Sequence, residues 1–102
     1  MRNGRRINGP YFALIHLASG HDIARLGIAI SRRVSPKATE RNRIKRTVRE
    51  CFRHQADALV PQDIVVLLRS AARNASSADL AGALVAALKR LETRPAPPLP
   101  TA

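Results

Sequence analysis

Apolar residues change their spacing at defined points along this chain of 102 residues, and each change marks an element. Residues 11–17 alternate: Tyr11, Ala13, Ile15 and Leu17 fall on one side, Phe12, Leu14 and His16 on the other. Both sets are largely apolar, which predicts a strand covered on both faces. A turn cluster follows at 18–22. Residues 25–31 alternate again, Leu26, Ile28 and Ile30 against the small Gly27 and Ala29. They predict a second strand, and the short connection favours an antiparallel hairpin with the first. The spacing then becomes helical. Ile44, Val48, Cys51 and Phe52 recur at steps of four, three and one, predicting a helix over 39–58 that Ser35 or Thr39 would cap and that fades before Pro61. The unbroken apolar run within 63–69 predicts a central strand buried on both faces. Leu80, Leu84, Ala87, Leu88 and Leu91 predict a final helix over 77–91, with Ser77 as its cap. A short extended piece at 6–8 precedes these elements. Four prolines within 94–102 predict a disordered tail. The sum is an α+β two-layer sandwich: one domain over 1–93, with a small sheet under a main helix and a C-terminal helix.

Charge changes the picture from a fold to a partner. The chain has 18 Lys and Arg against 7 Asp and Glu, a net charge of +11. Self-repulsion at that charge costs stability. Ten of the 18 cations fall between Arg25 and Arg53, so general solubility does not explain them. In the main helix, Arg41, Lys45 and Arg49 flank the apolar stripe, and Asn42, Arg46 and Arg53 lie further round. Arg46 and Glu50, four apart, are placed to pair weakly. Arginine grips phosphate in bidentate fashion, so a polyanion, and first of all a nucleic acid, is the expected partner. Tyr11 and Phe12 are candidates to stack on unpaired bases, although core packing is the commoner use of such residues.

Other chemistry finds little support. The 7 carboxylates form no close pair in sequence, so an autonomous nuclease site is not expected. His16, His21 and His54 are far apart, and the single Cys51 on the apolar stripe reads as a small buried hydrophobe. No metal site in the protein is expected. No apolar run approaches the roughly 18 residues of a membrane span, and no apolar segment follows the N-terminal charges as a signal peptide requires. A cytoplasmic protein is expected, with no membrane partner.

The run Arg41-Asn42-Arg43-Ile44-Lys45-Arg46, followed by Arg49-Glu50-Cys51-Phe52-Arg53, resembles the signature of the bacterial ribonuclease P protein component. The strand at 26–31 with Arg32 and Arg33 after it, the strand at 63–69 and the helix at 80–91 resemble that family's elements in the same order. The resemblance implies a mixed sheet of the ribonuclease P protein and ribosomal protein S5 domain 2-like type. It implies a ribonucleoprotein endoribonuclease in which RNA, with Mg2+ held mainly by that RNA, removes the 5′ leader of precursor tRNA. The protein would contact the catalytic RNA and precursor tRNA, with no obligate protein partner. Arg32 and Arg33 match the family's basic turn, and Arg41, Asn42, Arg43, Lys45, Arg46 and Arg49 its helical motif, with Arg53 beyond. Tyr11, Ala13 and Ile15 fall where a leader cleft between sheet and main helix is expected. The family's members open with a basic, aromatic-bearing helix; Arg2-Asn3-Gly4-Arg5-Arg6 resembles the segment just after it. A general RNA- or DNA-binding module shares the basic patch and stands as the alternative, one with no preference for precursor over mature tRNA.

Overall fold

The computed structural model describes residues 5–18, 22–59 and 61–93, the side chains of the last two aside. Four strands and two long helices follow in the order β1 (Arg5–Asn8), β2 (Phe12–Ala18), β3 (Arg25–Ala29), α1 (Ala38–Gln55), β4 (Gln62–Leu68) and α2 (Ser77–Thr93). Short 3-10 turns at Ala56–Ala58 and Ser70–Asn74 close α1 and lead into α2. The predicted tail at 94–102 lies outside the described residues.

The sheet is mixed, in the order β1-β2-β4-β3. β2 runs antiparallel to both neighbours, with Leu14 opposite Ile7 and Val66. β3 pairs with β4 in parallel, Leu26 beside Ile64 and Ile28 beside Val66. The expected hairpin between the second and third strands is therefore absent: β4 inserts between them. The physical reason is the strength of β4 as a centre strand. Its unbroken apolar run satisfies two neighbours at once, whereas Arg25 and the small Gly27 and Ala29 suit β3 to an edge. A parallel pair needs a long crossover, and α1 supplies it.

Both helices cover one face of this sheet. The core cluster joins Ile7, Phe12, Leu14, Ile64, Val66 and Leu68 to Ile44, Val48 and Cys51 of α1 and to Leu80, Leu84, Ala87, Leu88 and Leu91 of α2. Side chains alternate along a strand, so the complementary set points the other way. Ala13, Ile15, Leu17, Val65 and Leu67 belong to that second face, and none enters the core cluster. Ala13 is buried there, while Ile15, Leu17, Val65 and Leu67 are half-buried. The two central strands are thus fully covered on one face only, against the expectation of two covered faces. His16 falls on the covered side and is buried, as is Gln62.

Helix α1 begins one residue before Thr39 and has no side-chain cap: Lys37 occupies the cap position in an extended conformation. Ser35 does something else, described below. At α2 the cap is Ser76, one residue ahead of the expected Ser77. Its Oγ accepts the Asp79 amide at 3.0 Å, and Asp79 suits the positive end of the helix.

Candidate nucleic-acid interface

Helix α1 has three sides, and its residues divide among them. Ile44 and Val48 are fully buried and Cys51 nearly so; each apolar side chain of this size contributes about 1.5–3 kcal/mol on burial. One flank faces α2. There Cys51 Sγ lies 3.9 Å from the Ala81 carbonyl, and Arg43 Nη1 donates to Ser77 Oγ at 3.0 Å. Burial, and after it the Glu50 carboxylate, pushes the Cys51 thiol up from its ordinary value, away from the reactive thiolate.

The opposite flank carries Lys45 and Arg49, with Asn42, Arg46 and Arg53 on the outer side. Asn42, Arg46, Arg49 and Arg53 are exposed and Lys45 is half-buried. Glu50 accepts from Arg53 at 2.7 Å, three residues away, and not from Arg46 as its spacing suggested. Among the described residues no carboxylate pairs with Lys45, Arg46 or Arg49. Arg41, Lys45 and Arg49 repeat at four-residue spacing, where like charges destabilise a helix by a few tenths of a kcal/mol per pair. Cations in the first turns of a helix also oppose its dipole. A solvated face would have alternated signs; this one keeps a repulsive arrangement.

Arg32 and Arg33, both exposed, sit on the turn between β3 and α1. A groove of about 480 Å³ lies where β3 ends, bounded by residues 28–31, Lys45 and residues 67 and 68. It connects the cationic flank of α1 to the half-open face of the sheet through Leu67 and Ala29. Ala13 and Ile15 lie on that face, and Tyr11, half-buried, stands at the start of β2. The space between sheet and α1, where the leader cleft was expected, is filled by the core, because Ile44 and Val48 pack into it. The open ground is the sheet face turned away from α1.

The sequence reading missed the polar rim of that face. Asn8 stands opposite Ala13 and Arg6 opposite Ile15. Asn8 Oδ1 accepts from Arg6 Nε at 3.0 Å and from Arg69 Nη2 at 2.7 Å. The Arg69 amide donates to the Tyr11 carbonyl at 2.8 Å. Two guanidinium groups are thus held together by a neutral amide, beside apolar strand residues. Residues 8 and 69 are 61 apart, so no local spacing signals the cluster. Only the alternation of β1, with that of β4 carried one residue past its end, places all three on one face.

Two motif arginines are partly engaged within the protein. Arg43 reaches Ser77, and Arg41 Nη1 donates to the Ser35 carbonyl at 2.9 Å. Ser35 Oγ in turn donates to Glu40 Oε2 at 2.6 Å. That bond, with the Arg73, Lys37 and Arg43 charges behind it, holds the Glu40 carboxyl below its ordinary value against the opposing effect of desolvation. A lowered folded value means that the contact contributes its full stability above the ordinary carboxylate pKa. The contribution is lost as pH falls through the folded value. An NMR titration of the Glu40 side chain should therefore show a midpoint below that of a free glutamate. Substituting Ser35 by Ala should move it back up.

Among the described residues no three His, Cys, Asp or Glu side chains come together in a group that would hold a metal ion, and no helix is long and apolar enough to cross a membrane.

Residues 1–92 match the family model described as Ribonuclease P. The ribonuclease P protein component of Xylella fastidiosa strain 9a5c is 42% identical over 99 residues, covering 97% of this chain and 73% of that protein. The solved ribonuclease P protein of Staphylococcus aureus superposes with a TM-score of 0.81 at 28% identity, covering 87% of this chain and 82% of the other. That of Thermotoga maritima gives 0.77 at 33% identity, covering 87% and 84%.

Proposed function

Because this chain belongs to the ribonuclease P protein component family, we propose that it binds a catalytic RNA and precursor tRNA and promotes Mg2+-dependent, RNA-catalysed removal of the 5′ leader. The family supports a role in tRNA 5′ processing by a ribonucleoprotein endoribonuclease. The observation that carries the finer reading is the unneutralised flank of α1. Lys45, Arg46 and Arg49 project from a helix whose other sides pack on the sheet and on α2, so their backbone positions are fixed relative to one another before RNA arrives. A backbone fixed in this way removes part of the ordering cost of phosphate contact. Arg32 and Arg33 extend the same surface, Arg41, Asn42 and Arg53 complete it, and Arg43 stands apart on the flank that faces α2.

The leader, a single strand, suits the half-open sheet face. Ile15, Val65 and Leu67 offer a half-exposed apolar floor for bases around the buried Ala13, Tyr11 an aromatic edge, and Arg6 and Arg69 two cations for the backbone. Stacking of this kind tolerates any sequence, because every base has a π-face, and leaders differ in sequence. In this reading the protein's side chains bind and orient RNA, and Mg2+ is held mainly by the RNA.

The test is cleavage of a precursor tRNA by a bacterial ribonuclease P RNA at limiting Mg2+, with and without the full chain. Added protein should raise the rate, and precursor should bind the complex at least about tenfold more tightly than mature tRNA, a difference of about 1.4 kcal/mol. Equal affinity for the two tRNAs with no stimulation would leave the general nucleic-acid binder as the correct reading.

A further inference from the structure

Ser35 is fully buried although it sits in the surface turn that leads into α1. It is too early in the chain to cap the helix, and the cap position has no side-chain bond at all. Its groups are spent differently. The hydroxyl donates to Glu40 Oε2 at 2.6 Å, and the carbonyl accepts from Arg41 Nη1 at 2.9 Å. On the other side, the Ser31 carbonyl receives the Val34 amide at 3.1 Å and the Ser35 amide at 3.4 Å. One residue therefore joins a closed turn over 31–35 to two consecutive residues of the first helical turn. Arg73 Nε lies 3.7 Å from the same Glu40 oxygen, which ties the segment before α2 to the junction. Arg32 and Arg33 occupy the middle of the turn so closed.

We infer that Ser35, Glu40 and Arg41 form a clamp that fixes the Arg32 and Arg33 turn against α1, so that turn and helix meet RNA as one rigid cationic surface. The inference rests on the reading of that turn as an RNA contact. Ser35, inside the protein, and Glu40, a carboxylate, are positioning residues: neither is suited to touch phosphate. Without them the turn would have to be ordered at the moment of binding, and fixing even one or two residues then lowers affinity by about tenfold or more.

Glu40 gives the test a definite sign. Glu40→Ala removes a negative charge beside a polyanion site, so electrostatics alone predicts tighter RNA binding. The clamp predicts weaker binding. Affinity of the full chain for a bacterial ribonuclease P RNA, measured across a series of KCl concentrations, should fall about tenfold for Glu40→Ala. The salt slope should stay within about one of the parent's, because the same cations meet phosphate once the turn is ordered. Glu40→Gln keeps an oxygen for the Ser35 hydroxyl and should recover most of the loss. Ser35→Ala should match Glu40→Ala, and the double variant should be no worse than either alone. In an Arg32→Ala/Arg33→Ala background, Glu40→Ala should cause no further loss, and only the slight tightening from the removed charge should remain. Thermal melts identify any variant that fails to fold. Glu40, half-buried in the first helical turn, is the position to judge by if Ser35→Ala does not fold. Affinity for Glu40→Ala equal to or tighter than the parent overturns the clamp alone. An Arg32→Ala/Arg33→Ala chain with unchanged affinity and slope overturns the turn as an RNA contact, and the clamp with it.

Discussion

Val48→Asp should abolish the folded state at 25 °C. Val48 has no exposure and lies at the centre of the stripe by which α1 meets the sheet. A carboxylate there has no described cation on its own face of the helix: Arg41 is bound to Ser35, and Lys45 and Arg49 point out along the flank. Burying an unpaired charge costs at least about 4 kcal/mol, against a total of about 5–15 kcal/mol for an ordinary domain. Self-repulsion at +11 narrows that margin further. The ellipticity at 222 nm should be largely lost, and no cooperative thermal transition should remain. A cooperative melt within a few degrees of the parent would mean that α1 is not anchored through this face. Loss of RNA binding in this variant would say nothing about contacts, because it follows from unfolding.

The two helices were legible because their apolar positions obey a single periodicity and the facing element does not alter it. The strands were legible as strands, but their order was not. Periodicity states which side of a strand is apolar and is silent on which strand lies beside it. Proximity in sequence suggested a pair between β2 and β3, and the parallel β3–β4 pair, closed by an 18-residue helix, overrode it. Predicted ends were off by one to three residues where hydrogen bonding, not hydrophobicity, sets the limit. β3 stops at Ala29 because the chain must turn into the closed 31–35 segment. α1 stops at Gln55 because the last turn tightens to 3-10 geometry ahead of Pro61.

The site was legible in proportion to its locality. The cations of α1 and its preceding turn are contiguous in sequence, and a helical wheel sorts them from the core. What the wheel does not show is that the flank opposite Lys45 is occupied by α2, so Arg43 turns to Ser77 and leaves the exposed row. Ser35 passed for a candidate cap because serine before a helix usually is one; its burial and its bond five residues on depend on the shape of the turn. Arg6, Asn8 and Arg69 come together only through the pairing of β1, β2 and β4. Sequence patterning reaches contacts within one element and fails at those that topology creates.

The cationic flank has the opposite response to substitution from the apolar stripe. A chain carrying Lys45→Ala, Arg46→Ala and Arg49→Ala should fold normally and bind ribonuclease P RNA on the order of 100-fold more weakly or worse, at about 1 kcal/mol or more per lost phosphate contact. Arg46 and Arg49 are exposed, Lys45 only edges the groove, and alanine is the best helix former. Removing the Arg41–Lys45–Arg49 repulsion should even raise the melting temperature slightly. The salt dependence separates specific loss from general weakening. Each phosphate contact contributes about 0.7–0.9 to the slope of log affinity against log salt, so three lost contacts should flatten it by about two to three. The pair Lys89→Ala/Arg90→Ala, at exposed positions near the end of α2, removes two cations from the other helix. It should leave affinity within about threefold and the slope within about one. If the α2 pair and the α1 triple lowered affinity equally per charge removed, the protein would be binding RNA through its net charge, and the order along α1 would carry no function. If only the triple does so, the helix holds its like charges together, at a cost to its own stability, because the RNA phosphates that they meet are arranged to match them.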